Sequence, residues 1–108
     1  MMIPSRPYLI RAFYNWITDN LWTPYILVDA SFADVMVPQR FIKDGKIVLN
    51  MSFNAVRELE MNNTEVSFTA RFSGRSENIF VPVGAVEAIY AFENGQGMHF
   101  TDLDMYPP

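Results

Sequence analysis

Cysteine does not occur in the 108 residues, which excludes a disulfide scaffold, thiol catalysis and thiolate metal ligation. Its absence fits a reducing compartment, and a cytoplasmic location is the expectation. Histidine occurs once, at His99, and one imidazole without cysteine leaves only carboxylates to build a metal site. Basic residues are few: eight Lys and Arg stand against twelve Asp and Glu, a formal net charge of −4. They are scattered, with no stripe of the kind that follows a phosphate backbone, so the composition argues against nucleic-acid binding. No run approaches the ~20 apolar residues that span a bilayer, and no basic stretch followed by an apolar one opens the chain. The expectation is a soluble chain with no membrane contact.

Apolar residues make up 50% of the chain and aromatics 15%, enough for a core without metal or disulfide support. No second hydrophobic pattern lies beyond a Pro/Gly/Ser linker, so residues 1–108 are read as one domain. Ser5-Arg6-Pro7 suits a helix start, because serine can cap free N–H groups and proline is tolerated in the first turn. From Tyr8 to Asn20 the period is helical. Ala12, Trp16, Leu9, Phe13, Ile17, Ile10 and Tyr14 fall on one arc of about 200°. A surface helix needs an apolar stripe of little more than ~100°, so this one has more oily surface than a single contact hides. Either a long sheet wraps the helix within one chain, or two copies meet helix to helix.

Beyond Thr23-Pro24 the pattern becomes strand-like. Strands are expected at Tyr25–Ala30, Val35–Val37, Phe41–Lys43, Lys46–Met51, Leu59–Met61, Val66–Phe72, Asn78–Val81, Ala88–Phe92 and Met98–Phe100, some of them short. Asp44-Gly45 is the strongest hairpin signal, since both residues tolerate the positive φ of a tight turn. Turns are also read at Asn62-Asn63, Ser73-Gly74-Arg75-Ser76 and Asn94-Gly95-Gln96-Gly97, and a short helical turn at Pro82–Val86. The fold class is α+β, mostly β: one N-terminal helix leading into two packed antiparallel sheets or a small open barrel.

Chemistry is hard to find. A catalytic site needs a nucleophile, a base and an oriented partner, or a metal cluster; His99 has no flagged partner. Glu58, Glu60 and Glu65 sit at strand ends and turns, where solvated carboxylates are common. Asn94-Gly95-Gln96-Gly97 lacks the lysine and helix of a phosphate loop. The residues point to no enzyme, no catalytic group, no metal and no cofactor.

One family does share the pattern. Arg6-Pro7-Tyr8-Leu9-Ile10-Arg11-Ala12-Phe13-Tyr14-Asn15-Trp16 resembles the opening of the SspB family, RPYLLRA followed by two aromatics, a polar residue and Trp. Thr23-Pro24-Tyr25 with Val28-Asp29, Asp44-Gly45-Lys46-Ile47-Val48-Leu49-Asn50, Ala70-Arg71-Phe72 and Ala88-Ile89-Tyr90-Ala91 before Glu93-Asn94-Gly95 match in order, so the resemblance covers nearly the whole chain. It implies an Sm-like pair of sheets and a homodimer formed through the N-terminal helices, with Tyr8, Ala12 and Trp16 at the contact. It also implies a non-catalytic adaptor that binds the ssrA degradation tag of polypeptides from stalled ribosomes. Such an adaptor delivers them to the ClpXP protease and docks on the unfoldase ClpX through a short motif at the end of a flexible tail.

An extended peptide in a groove satisfies its backbone from the walls and sends alternate side chains into pockets. Carried over from the family, those walls are Asn50, Met51, Ser52 and Ala55 on one side, and Phe68, Ala70, Arg71 and Phe72 on the other. Ala70 would leave room, Phe68 and Met51 would form apolar wall, and Arg71 would answer acidic residues of the tag. Without the resemblance the apolar members read as ordinary core. Phe53-Asn54 departs from the family's small residues near the groove, Phe92 stands in place of an arginine, and after Asp102-Leu103-Asp104-Met105-Tyr106 the chain reaches Pro107-Pro108 without the acidic tail. The expectation is that the tail has been removed. Sm-like architecture also suggests RNA binding as an alternative, against which the acidic balance stands.

Overall fold

Pro7 stands in the first turn of helix α1, Arg6–Asp19, where its missing N–H leaves no hydrogen bond unmade. The computed structural model describes residues 3–101 and residue 105; the expectations for residues 102–104 and 106–108 lie outside them. Ser5 does not cap α1 with its hydroxyl. Its backbone is already helical, at φ −78 and ψ −23, whereas an N-cap side chain needs an extended backbone to reach forward. The Ser5 carbonyl instead accepts from the N–H groups of Tyr8 and Leu9, both at 3.0 Å. At the other end the Leu21 N–H donates to Thr18 O (2.9 Å) and the Trp22 N–H to Ile17 O (3.1 Å). These bonds form a Schellman closure. Leu21 takes the left-handed position at φ 62, usually a glycine's place.

Seven strands follow among the described residues: β1 Pro24–Asp29, β2 Lys46–Asn50, β3 Val56–Met61, β4 Glu65–Phe72, β5 Arg75–Pro82, β6 Val86–Ala91 and β7 Gly97–His99. They form a four-stranded sheet, in the order β2-β1-β6-β7, and a three-stranded sheet, β3-β4-β5. Neighbouring strands are antiparallel. The fold is thus the expected α+β, mostly β arrangement, with the sheets not closed into a barrel. Period-two alternation places Ile26 and Val28 of β1, and Val66, Phe68 and Ala70 of β4, on the inner faces. Ile10, Tyr14 and Ile17 of α1 complete that core.

Two expected strands are something else. Val35–Val37 contributes one bridge, Met36 opposite Phe80, with N–H···O distances of 2.8 and 3.0 Å. Pro38 follows at once and has no N–H to extend the ladder. Phe41–Lys43 is partly a 3-10 turn, Gln39–Phe41, and only Lys43 pairs, with Lys46. The Asp44-Gly45 turn forms as read, at φ 53 and 76. However, β2 pairs along its length with β1, from Lys46 opposite Asp29 to Asn50 opposite Tyr25. The short helical turn after Pro82 is a 3-10 turn, Val83–Ala85.

Arg6 fastens the helix to the far end of the chain. It is buried, and its guanidinium donates to the carbonyls of Gly84 (3.1 Å), Val86 (3.1 Å) and Thr101 (2.6 Å), with the Phe100 ring 5.3 Å away. The wide apolar arc of α1 is only partly covered. Tyr8 is 47% and Trp16 41% exposed, and Ala12 between them is exposed too. At spacings of four these residues make one ridge that the sheets of this chain leave open.

Candidate functional site

Between β2 and β3 the chain makes a tight excursion that builds one wall of a groove. The Asn50 side-chain carbonyl accepts from Ser52 N–H (2.9 Å), and the Ser52 carbonyl accepts from the N–H groups of Ala55 (2.9 Å) and Val56 (3.1 Å). These local bonds hold Phe53, Asn54 and Ala55 in a turn. In β3 the register slips between Arg57 and Glu60. Glu58, at φ 56, is the extra residue of a bulge, a device that re-aims neighbouring side chains. Arg57 pairs with Thr69, and Val56 with Ala70.

The groove that results is about 670 Å³. One wall is Phe53, Asn54, Ala55, Val56 and Arg57; the other is Thr69, Ala70 and Arg71, with Ser76 of β5 at its rim. Ala55 and Ala70 are the small residues of its lining; Ala70, on the inner face of β4 with Phe68, is 9% exposed and meets the groove at its edge. Among the described residues, two guanidiniums, Arg57 and Arg71, stand at it and no carboxylate does. Arg71 is exposed and makes one long contact, Nη1 to Gly74 O at 3.4 Å, so its charge is open to a ligand. Such a site suits an extended, acidic, uncatalysed ligand: small residues admit a backbone and cations answer carboxylates.

Of the residues carried over from the family, the structure brings Ala55, Ala70 and Arg71 together in this groove. Met51 and Phe68 are placed in the core behind it, 0% and 4% exposed, because Phe68 lies on the inner face of β4 and the Met51 N–H is tied to Pro24 O (2.8 Å). Asn50 is exposed and acts on the turn rather than lining the groove. Ser52 lines an adjoining cavity. Phe72, half-buried, stacks on Phe41 with centroids 5.4 Å apart. Sequence reasoning missed Arg57, Thr69 and Ser76, which enter through cross-strand position, Arg57 opposite Thr69 and Ser76 opposite Arg71. Phe53, which departs from the family's small residues near the groove, is 73% exposed and forms a lip.

Elsewhere, Thr23 donates its N–H (2.8 Å) and hydroxyl (2.7 Å) to the Glu93 carboxylate, which holds the Glu93 pKa below the usual value. Phe92 lies on Tyr25, centroids 4.9 Å apart. His99 is exposed on β7, away from the groove lining. Among the described residues no group of three or more His, Asp or Glu side chains could hold a metal ion, and no helix is long and apolar enough to cross a membrane.

The family model for stringent starvation protein B, SspB, matches residues 4–107. The chain belongs to the SspB family. It is similar to the stringent starvation protein B homolog of Haemophilus influenzae (strain ATCC 51907 / DSM 11121 / KW20 / Rd), at 48% identity over 103 residues. That alignment covers 95% of this chain and 69% of the relative. A role like that of stringent starvation protein B follows for this SspB family member.

Proposed function

We propose that the chain is a peptide-capturing adaptor: it binds the ssrA degradation tag in the groove between residues 53–57 and 69–71 and presents tagged proteins to the ClpXP protease, without chemistry of its own. The observation that supports this reading is the groove's lining, in which small Ala55 and Ala70 are flanked by Arg57 and Arg71 and, among the described residues, no carboxylate stands. An extended peptide lies there against strand backbone, and acidic side chains meet the two guanidiniums. The Tyr8, Ala12 and Trp16 ridge of α1 is the proposed dimer contact. Docking to ClpX belongs to the same reading and is taken from the family resemblance. RNA binding has no comparable observation behind it.

Ala70→Gln tests the site. The longer side chain fills the groove from that edge, and affinity for a fluorescent ssrA peptide is expected to fall at least about tenfold. The variant's cooperative melt and circular dichroism are expected to remain those of a folded chain. Undiminished binding by a folded Ala70→Gln protein sinks the assignment.

A further inference from the structure

The outer face of the sheet β3-β4-β5 carries more than the cationic groove. Pairing sets Met36 opposite Phe80, Phe80 opposite Ser67 and Ser67 opposite Glu60, and residues directly opposite one another share a side of the sheet. One row therefore runs across the face from two large apolar side chains to a carboxylate. The bulge in β3 completes the face. Ser67 and Thr69 are two apart and share a side, so their partners Glu60 and Arg57, three apart, share it as well. Plain alternation would send those two to opposite sides.

A cavity of about 350 Å³ lies over this row, with Met36, Phe80, Ser67, Glu58 and Glu60 in its lining. It meets the groove at Thr69, which lines both, and the charge reverses there: Arg57 and Arg71 stand on the groove side, Glu58 and Glu60 on the other. Among the described residues no cation lines the cavity, and neither carboxylate is in an ion pair. Two backbone hydrogen bonds to Phe80, 2.8 and 3.0 Å, hold Met36 in place, yet its side chain is 61% exposed. Beside it Phe80 is only half-buried. Together they make apolar surface that nothing among the described residues covers.

We propose that this face docks an extended basic segment of a partner protein: one apolar side chain of the segment seats on Met36 and Phe80, and a lysine or arginine close by pairs with Glu58 and Glu60. Charge complementarity selects the sign of the partner, since two carboxylates without a cation repel an acidic ligand and attract a basic one. Spacing selects its form. Neighbouring strands lie about 4.8 Å apart, so Phe80 and Glu60 are separated by about 10 Å across Ser67. An extended segment crossing the strands repeats a side chain on one side every ~7 Å, and the long stem of a lysine or arginine spans the remainder. The proposal does not depend on the tag reading, because it concerns a ligand of opposite charge on the other side of Thr69.

NMR titration of the isotope-labelled chain, read as amide shifts, tests this with three acetylated nonapeptides built of glycine and serine. Each carries one phenylalanine and two adjacent lysines that begin two, three or four residues after it. The proteins are the wild-type chain, Glu58→Gln with Glu60→Gln, Met36→Ser and Ala70→Gln, and each spectrum also shows that its protein is folded. Saturable shifts at Met36, Ser67 and Phe80 are expected in the wild type for at least one spacing. Affinity is expected to fall at least about fivefold in the paired glutamine variant and in Met36→Ser, and to be unchanged in Ala70→Gln, whose new side chain lies at the groove. Exchanging the lysines for glutamates is expected to abolish the shifts. Absence of saturable shifts with all three peptides, undiminished binding by the paired glutamine variant, or shifts confined to the groove and lost in Ala70→Gln overturns the proposal. A Met36→Ser chain that sediments as a monomer where the wild type is a dimer assigns the face to a second copy, which also overturns it.

Discussion

Single residues settle more here than their types announce. Glu93 stands just before a turn, and its two bonds from Thr23 tie the segment after β6 to the start of β1. Those bonds lower its pKa from the usual 4.5. A carboxyl whose folded pKa is depressed adds stability above its unfolded pKa and loses it as pH falls through the folded value. Glu93→Gln is therefore expected to lower the melting temperature at neutral pH. The gap to wild type should narrow between about pH 5 and pH 3, and thermal melts across that range check it; a gap independent of pH refutes the account. Arg71 was legible only through resemblance, since one arginine on a strand says nothing about a groove. Arg57 was not legible, because its place depends on the pairing of β3 with β4 that sets it opposite Thr69, which the residues Arg57-Glu58-Leu59 do not advertise.

At the level of elements, α1 shows how far periodicity reaches. The 3.6-residue period located the helix, and the excess width of its apolar arc called for a second cover; which residues stay open, Tyr8, Ala12 and Trp16, came from the resemblance, and the buried stripe of Ile10, Tyr14 and Ile17 from the structure. The cap was misread because Ser5 is already helical. Strands with clear alternation, β1 and β4, were legible, and residues 35–37 and 41–43 were not. Their composition is strand-like, but Pro38 interrupts one and pairing of β2 with β1 leaves the other a single partner. The wall after β2 was legible in part: Ala55 was named, while the turn that presents it is held by Asn50, expected instead as a contact. Arg6 binds α1 to β6 and to Thr101, so its loss is felt as undocking of an element. Arg6→Ala leaves buried carbonyls without their charged donor and is expected to destabilise the fold by about 2–4 kcal/mol. Urea denaturation measures this; a loss below about 1 kcal/mol contradicts the clamp.

At the scale of the whole molecule, an uncovered helix ridge and a cationic groove belong to one chain. Tyr8→Glu with Ala12→Glu places charges where two copies would meet, at a cost that unpaired buried charges cannot recover. Sedimentation is expected to show a dimer for the wild type and a monomer for the variant, with tag affinity per protomer little changed; a persistent dimer rules the ridge out. A dimer would hold two grooves together and raise the effective concentration of tethered substrate. The most direct measurement is calorimetric titration of ssrA peptide into the wild-type chain at increasing salt. Saturable binding at one peptide per protomer, weakening with salt as Arg57 and Arg71 are screened, is the predicted result. Absence of saturable binding, or an affinity indifferent to salt, would contradict it.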